Sequence, residues 1–185
     1  MIISSPKPPK LTVELVPKTC FFSNVRSTVS SSEWDLIRFI SYKHANNKCE
    51  ICGSTGLKQG YKHRVECHEI WEYDETNRVQ VLAGLISLCP LCHQVKHIGR
   101  SFAIGRQVEV FDHLMKVNKW NHKQVVDHVA DAFMIYKERS KHQWKLDLSL
   151  LTKEPYNLKI KLTENRKFKK GFFKRKKRKT KKKKS

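Results

Sequence analysis

Two Cys-x-x-Cys pairs constrain this chain more than any other feature: Cys49 with Cys52, and Cys89 with Cys92. The two-residue spacer lets both sulfurs of a pair turn toward one ion, and two such pairs complete a tetrahedral four-thiolate zinc site. The flanking residues, Cys49-Glu-Ile-Cys-Gly53 and Cys89-Pro-Leu-Cys-His93, have the character of zinc knuckles, where glycine permits a tight backbone. The competing reading is four unrelated buried thiols. Disulfides are disfavoured because Met1–Lys10 carries no apolar h-region and so does not read as a secretory signal. Cys20 and Cys67 stand alone; Cys67 reads as a buried thiol, and nothing marks Cys20 as reactive.

At 185 residues, 39% hydrophobic and 10% aromatic, the chain can build one packed domain with extensions, or two small ones. No apolar run approaches the roughly 20 residues of a membrane span. A soluble intracellular protein is expected, cytoplasmic in a bacterium or a phage-infected host, or nuclear in a eukaryote. The net charge of +21 points to a polyanionic partner, of which nucleic acid is the commonest. Residues 166–185 hold fourteen basic residues and no acidic ones; the other 24 basic residues against 17 acidic leave +7 on the rest of the chain. That tail reads as disordered and as a source of phosphate contacts without sequence preference, carried by Lys174, Arg175, Lys176, Lys177, Arg178 and Lys179.

The pattern of residues predicts an α+β chain in four parts. In residues 1–48, a short strand over Leu11–Leu15 precedes a helix from Glu33 to Asn46 with a capping box formed by Ser32 and Asp35. Residues 49–100 contain the two knuckles, which enclose strands over Arg64–Trp71 and Arg78–Leu82; the second knuckle opens a helix from Cys92 to Ile98, closed by Gly99. Residues 101–165 carry helices over Gln107–Asn118 and from an Asn121 N-cap to Ser140, then a half-buried strand over Trp144–Leu150. Residues 166–185 are the basic tail.

Between the cysteines lie Val65-Glu-Cys-His-Glu-Ile70 and Cys92-His-Gln-Val-Lys-His97. His93 and His97 are four apart, hence on one helix face, and a hairpin packed on that helix could bring His68 to them. Three histidines so arranged favour a metal or phosphate site over ordinary packing.

Over residues 49–99 the chain resembles the zinc-containing branch of the HNH nuclease family, whose fold is the ββα-metal motif. The resemblance rests on Cys49-x-x-Cys52, His68-Glu69-Ile70 and Leu88-Cys-Pro-Leu-Cys-His93. It implies a scaffold zinc on Cys49, Cys52, Cys89 and Cys92. It also implies a second divalent ion (Mg²⁺, Mn²⁺, Ni²⁺ or Zn²⁺) on His68, His93 and His97, and DNA rather than RNA as substrate. Glu69 falls where the family has the histidine that activates water, and Gly84 where it has its middle Asn. A second register makes His68 the base and Glu66 a metal ligand; the first is adopted here. Lys96 and Arg100, beside the helix, are the expected phosphate contacts near the site. Two functions follow as expectations: a metal-dependent endonuclease with catalytic Glu69 and His68, or a catalytically weak module of the same fold that binds DNA or RNA, conceivably within a nucleoprotein particle.

Overall fold

The organising element is a hairpin. In a computed structural model describing residues 8–159, β1 (Glu66–Asp74) pairs antiparallel with β2 (Val79–Leu88). Asp74 closes the turn by accepting from the amides of Thr76 and Asn77 at 3.0 and 2.9 Å, and Arg78 takes the left-handed φ of 55° that the turn requires. Ile70 faces Gly84 and Trp71 faces Leu82, so Ala83 is the extra residue of a β-bulge. The bulge bends the hairpin midway along β1. A third strand, β3 (Lys145–Asp147), runs parallel to the first residues of β2, giving the order β1-β2-β3 and leaving β1 as an edge.

Helices cover this sheet. α1 (Val25–Thr28) and α2 (Ser31–His44) precede the hairpin; α3 (Pro90–Lys96), α4 (Ile98–Ala103), α5 (Gln107–Asn118) and α6 (His122–Arg139) follow it. The capping box of α2 sits two residues earlier than expected, on Ser30 and Glu33, whose side chains satisfy each other's amides. Such a cap contributes about 1 kcal/mol. Ser41 of α2 meets Ser87 of β2 through a buried hydroxyl pair at 2.8 Å. Asn121 caps α6 as its sequence suggests, reciprocally with Gln124.

Two apolar clusters hold the layers. One joins the cysteine knuckles to α3, α4, α5 and α6 through Leu88, Val95, Ile98, Val110 and Leu114, all fully buried. Each such side chain contributes about 1.5–3 kcal/mol. The other packs α1 and α2 on the far part of the hairpin through Val25, Ile37, Leu82, Leu148 and Leu151.

The fold corrects three local expectations. Leu11–Leu15 is extended but is not a strand: its amides bond to side chains on α5 and α6, Leu11 N–H to Asn118 Oδ1 and Val13 N–H to His128 Nε2, both at 2.9 Å. The helix after the second knuckle breaks at His97 (φ −97°, ψ 44°), before Gly99, and resumes as α4, with Gly105 (φ 76°) following that helix. The strand expected over Trp144–Leu150 pairs only at Lys145–Asp147 and then tightens into a 3₁₀ turn, Ser149–Thr152, which buries Leu151. Residues 166–185 lie outside the described residues.

Candidate metal centres

The first centre is the four-cysteine group. Donor sulfurs of Cys49, Cys52, Cys89 and Cys92 all lie within 4.8 Å of one another, with Cys52 alone half-buried. The Cys52–Cys89 sulfur separation of 3.5 Å is far too long for a disulfide and is close to the edge, about 3.8 Å, of a tetrahedron with Zn–S bonds of about 2.3 Å. Local backbone explains the convergence. Gly53 (φ +70°) lets the first knuckle turn back, with its amide on the Cys49 carbonyl at 2.8 Å and the Cys49 amide on the Ser54 carbonyl at 2.9 Å. Cys89 is the N-cap of α3, and Pro90, which has no N–H to satisfy, opens its first turn.

The surroundings suit thiolates. Gln59 Nε2 donates to Cys89 Sγ at 3.1 Å while its carbonyl oxygen is held by the Leu91 amide at 3.2 Å, and His113 Nε2 lies 3.1 Å from Cys92 Sγ. Mutual hydrogen bonds favour the thiolate at Cys89 and Cys49 and the neutral thiol at Cys52 and Cys92. Four sulfurs so close can all ionise only around a cation. The group can therefore hold a zinc ion, with Gln59 and His113 as outer donors.

The second centre joins β1 to α3. His68 is buried on β1; His93 lies on α3 and His97 is its C-cap, one turn on, kept so by the His97 amide on the His93 carbonyl at 3.1 Å. Ring centroids stand 5.3 Å (His68–His93), 4.9 Å (His68–His97) and 4.6 Å (His93–His97) apart, and one nitrogen of each ring falls within 4.8 Å of the others. Such a group can hold a divalent ion.

Carboxylates steer the rings. Glu66 Oε2 contacts His93 Nδ1, and its other oxygen contacts His63 Nε2 at 2.8 Å; Glu14 Oε2 lies 3.2 Å from His68 Nε2. This is the carboxylate–histidine pairing that orients metal-binding imidazoles. His97 forms no side-chain hydrogen bond among the described residues, and burial, followed by the charges of His93 and His68, pushes it down to about 3. It stays neutral, with a lone pair free for an ion. Burial also lowers His68. Burial works against the Glu14 carboxylate, but hydrogen bonds and charge from His68 and Lys96 outweigh it and hold Glu14 at about 2.

Not every expected residue reaches this point. Glu69 alternates with His68 along β1 and its Oε1 accepts from the Val25 amide at 3.0 Å, at the start of α1. It is not a member of the histidine group, but it lines the same cleft as the three rings, and burial raises its carboxyl to about 7. Gly84 sits at the bulge, its missing Cβ facing Ile70 Cδ1 at 3.5 Å. Lys96 is only 6% exposed, paired with Glu14 and bonded to Thr12 Oγ1 at 2.9 Å. It is a core cation, unavailable to a phosphate backbone. Arg100 is exposed at the edge of the site. Glu66, the metal ligand of the second register, acts on His93. Glu14 was not foreseen: it lies 54 residues from His68 in sequence, and only the path of the N-terminal segment brings the two together.

The histidines line one end of a cleft of about 790 Å³ that runs around the free edge of β1, with residues of both strand faces in its walls. Among the described residues, no helix is long and apolar enough to cross a membrane. No protein-family model, no curated protein and no solved structure matches the chain.

Proposed function

We propose that the chain is a metal-dependent endonuclease of HNH type that hydrolyses phosphodiester bonds, DNA before RNA. The observation that carries this reading is the convergence of His68, His93 and His97, from a hairpin and the helix after it, beside a separate four-thiolate group. A structural centre alone would need only the cysteines. A divalent ion on the three histidines would supply Lewis-acid stabilisation of phosphate charge and a water of lowered pKa. The chain's own residues supply the rest. Glu66 and Glu14 hold His93 and His68 in place, and Arg100 offers an exposed cation for a phosphate oxygen. Glu69, raised to about 7 by burial, is the carboxylate whose proton affinity suits a base, while Glu14, held at about 2 by His68 and Lys96, positions His68. The tail residues Lys174–Lys179 would add sequence-independent affinity.

Nicking of supercoiled plasmid by the zinc-loaded chain tests this, with Mg²⁺, Mn²⁺ or Ni²⁺ added and with His93→Ala, Glu14→Gln and Glu69→Gln alongside. Metal-dependent nicking lost in His93→Ala is expected; nicking retained there removes the site from the chemistry. Loss in Glu69→Gln is expected if it takes the proton; loss in Glu14→Gln but not Glu69→Gln would move that role to the carboxylate beside His68. A second reading, a zinc-stapled module that binds DNA or RNA without cutting it, is favoured by one observation: Gly84, at the bulge, has no side chain to do the work of the family's Asn. Tight nucleic-acid binding without cleavage under every metal would establish it.

A further inference from the structure

The cleft that ends at the histidines is built for more than a phosphate. Beyond His68, His93 and His97 its walls are aromatic: Phe21, Trp34, Trp71, Tyr73, Phe133 and Tyr136. Phe21 and Tyr136 lie nearly parallel, with centroids 6.5 Å apart and 18° between planes, and Phe21 is 51% exposed at the rim. The volume of about 790 Å³ lies inside the range of about 300–1,000 Å³ typical of small-molecule sites.

Polar groups of both signs line it: Glu14 and Glu69 as well as arginines. Tyr73 faces the cleft with its ring, its hydroxyl being buried away from solvent without a hydrogen-bond partner among the described residues. Arg26 and Arg100 line the cleft, are exposed, and form no ion pair among the described residues; Arg139 also lines it, bonded to Glu75 at 2.7 Å. One ligand therefore has to present a flat ring to aromatic walls and an anion to arginines and to a histidine metal site.

We propose that this cleft takes an unpaired nucleotide, its base between the aromatic walls and its phosphate toward Arg100 and the three histidines. The substrate class is then single-stranded or locally unpaired nucleic acid. A paired base inside a duplex offers its ring faces only to its stacked neighbours, so it cannot use these walls. An anionic peptide would use the arginines but leave the flat walls idle. The inference rests on the nuclease reading for the role of the histidines, while the nucleotide site itself stands on the cleft.

The test is binding of a fluorescein-labelled oligo-dT strand, and of its duplex with oligo-dA, to the full zinc-loaded chain. Salt is set high enough to screen the basic tail. Wild type should prefer the strand. Phe21→Ala, at an exposed position that leaves the core intact, should weaken strand binding about tenfold, the loss of one stacked base, with duplex binding unchanged. Arg100→Ala, at an exposed position lining the cleft, should weaken it several-fold by removing a phosphate contact. Equal affinity of wild type for strand and duplex, or unchanged strand binding in both variants, overturns the proposal. Cleavage of both oligonucleotides with Mn²⁺ separates the two readings. Duplex cutting with no strand preference sinks the nucleotide site and leaves the nuclease; strand preference without cutting under any metal does the opposite.

Discussion

Replacing Glu14 should cost far more than replacing its partner Lys96, although the two form one ion pair. The Lys96 side chain is 7% exposed, and its ammonium contacts Glu14 Oε1 and Thr12 Oγ1. Glu14→Ala leaves that cation with one hydroxyl in a site that water hardly reaches. Breaking a buried pair from one side costs about 3–5 kcal/mol. Glu14 is itself 36% exposed, so solvent already screens part of the interaction, and about 2–3 kcal/mol is the working figure. Lys96→Met strands no charge, because the carboxylate keeps His68 and water; about 1 kcal/mol is expected. In the double variant no buried cation remains, so it should be more stable than Glu14→Ala alone. It should still fall short of wild type, since the His68 hydrogen bond is not restored. The coupling between the sites is then about 1–2 kcal/mol. Urea unfolding followed by far-UV circular dichroism measures all four proteins, at one fixed zinc concentration because bound metal shifts apparent stability. Equal single losses that add in the double variant would refute the reasoning. They would mean that Lys96 reaches water and is free for phosphate after all.

Three further outcomes are expected. Cys89→Ser, or chelation of zinc, should unfold the knuckle region and the cluster of Leu88, Val95 and Leu114 packed on it, because the metal's binding energy is folding energy here; an unchanged melting curve would remove the zinc site. His97→Ala should lower the affinity of the histidine group for Ni²⁺ or Co²⁺ in calorimetry by at least tenfold while the four-cysteine site keeps its zinc; undiminished second-site binding would show that the three rings do not share an ion. Deleting residues 166–185 should weaken binding to all DNA sequences alike and flatten the dependence of log K on log salt; a slope within error of wild type would make the fourteen basic residues bystanders.

Where chemistry depends on spacing along one element, it could be read directly from the chain. Cys-x-x-Cys and the His93–His97 step sit on a knuckle and a helix whose local geometry brings both members together whatever the rest of the molecule does. Asn121 was legible as a cap for the same reason, its partner Gln124 lying three residues on. Leu11–Leu15 was misread because alternation shows only that a segment is extended. Whether its amides meet a strand, or instead Asn118 and His128, depends on residues more than 100 positions away. Lys96 was misread in the same manner. A lysine on a helix end looks solvated until Glu14 and Thr12 arrive to bury it, and no spacing along the chain reveals that Glu69 meets the amide of Val25.

By itself, then, the sequence determined the four-thiolate group, the pairing of two histidines, the hairpin with its following helix and the strong positive charge, all of them consequences of local spacing or simple counting. Only the tertiary structure decided that His68 completes the histidine group, that Glu14 and Glu66 steer its rings, and that six aromatic side chains line a cleft running from it. The reason is physical. Periodicity along a chain fixes which face of an element a side chain occupies, whereas its partner across a gap depends on how several elements pack together, and many sequences with the same periodicity pack differently.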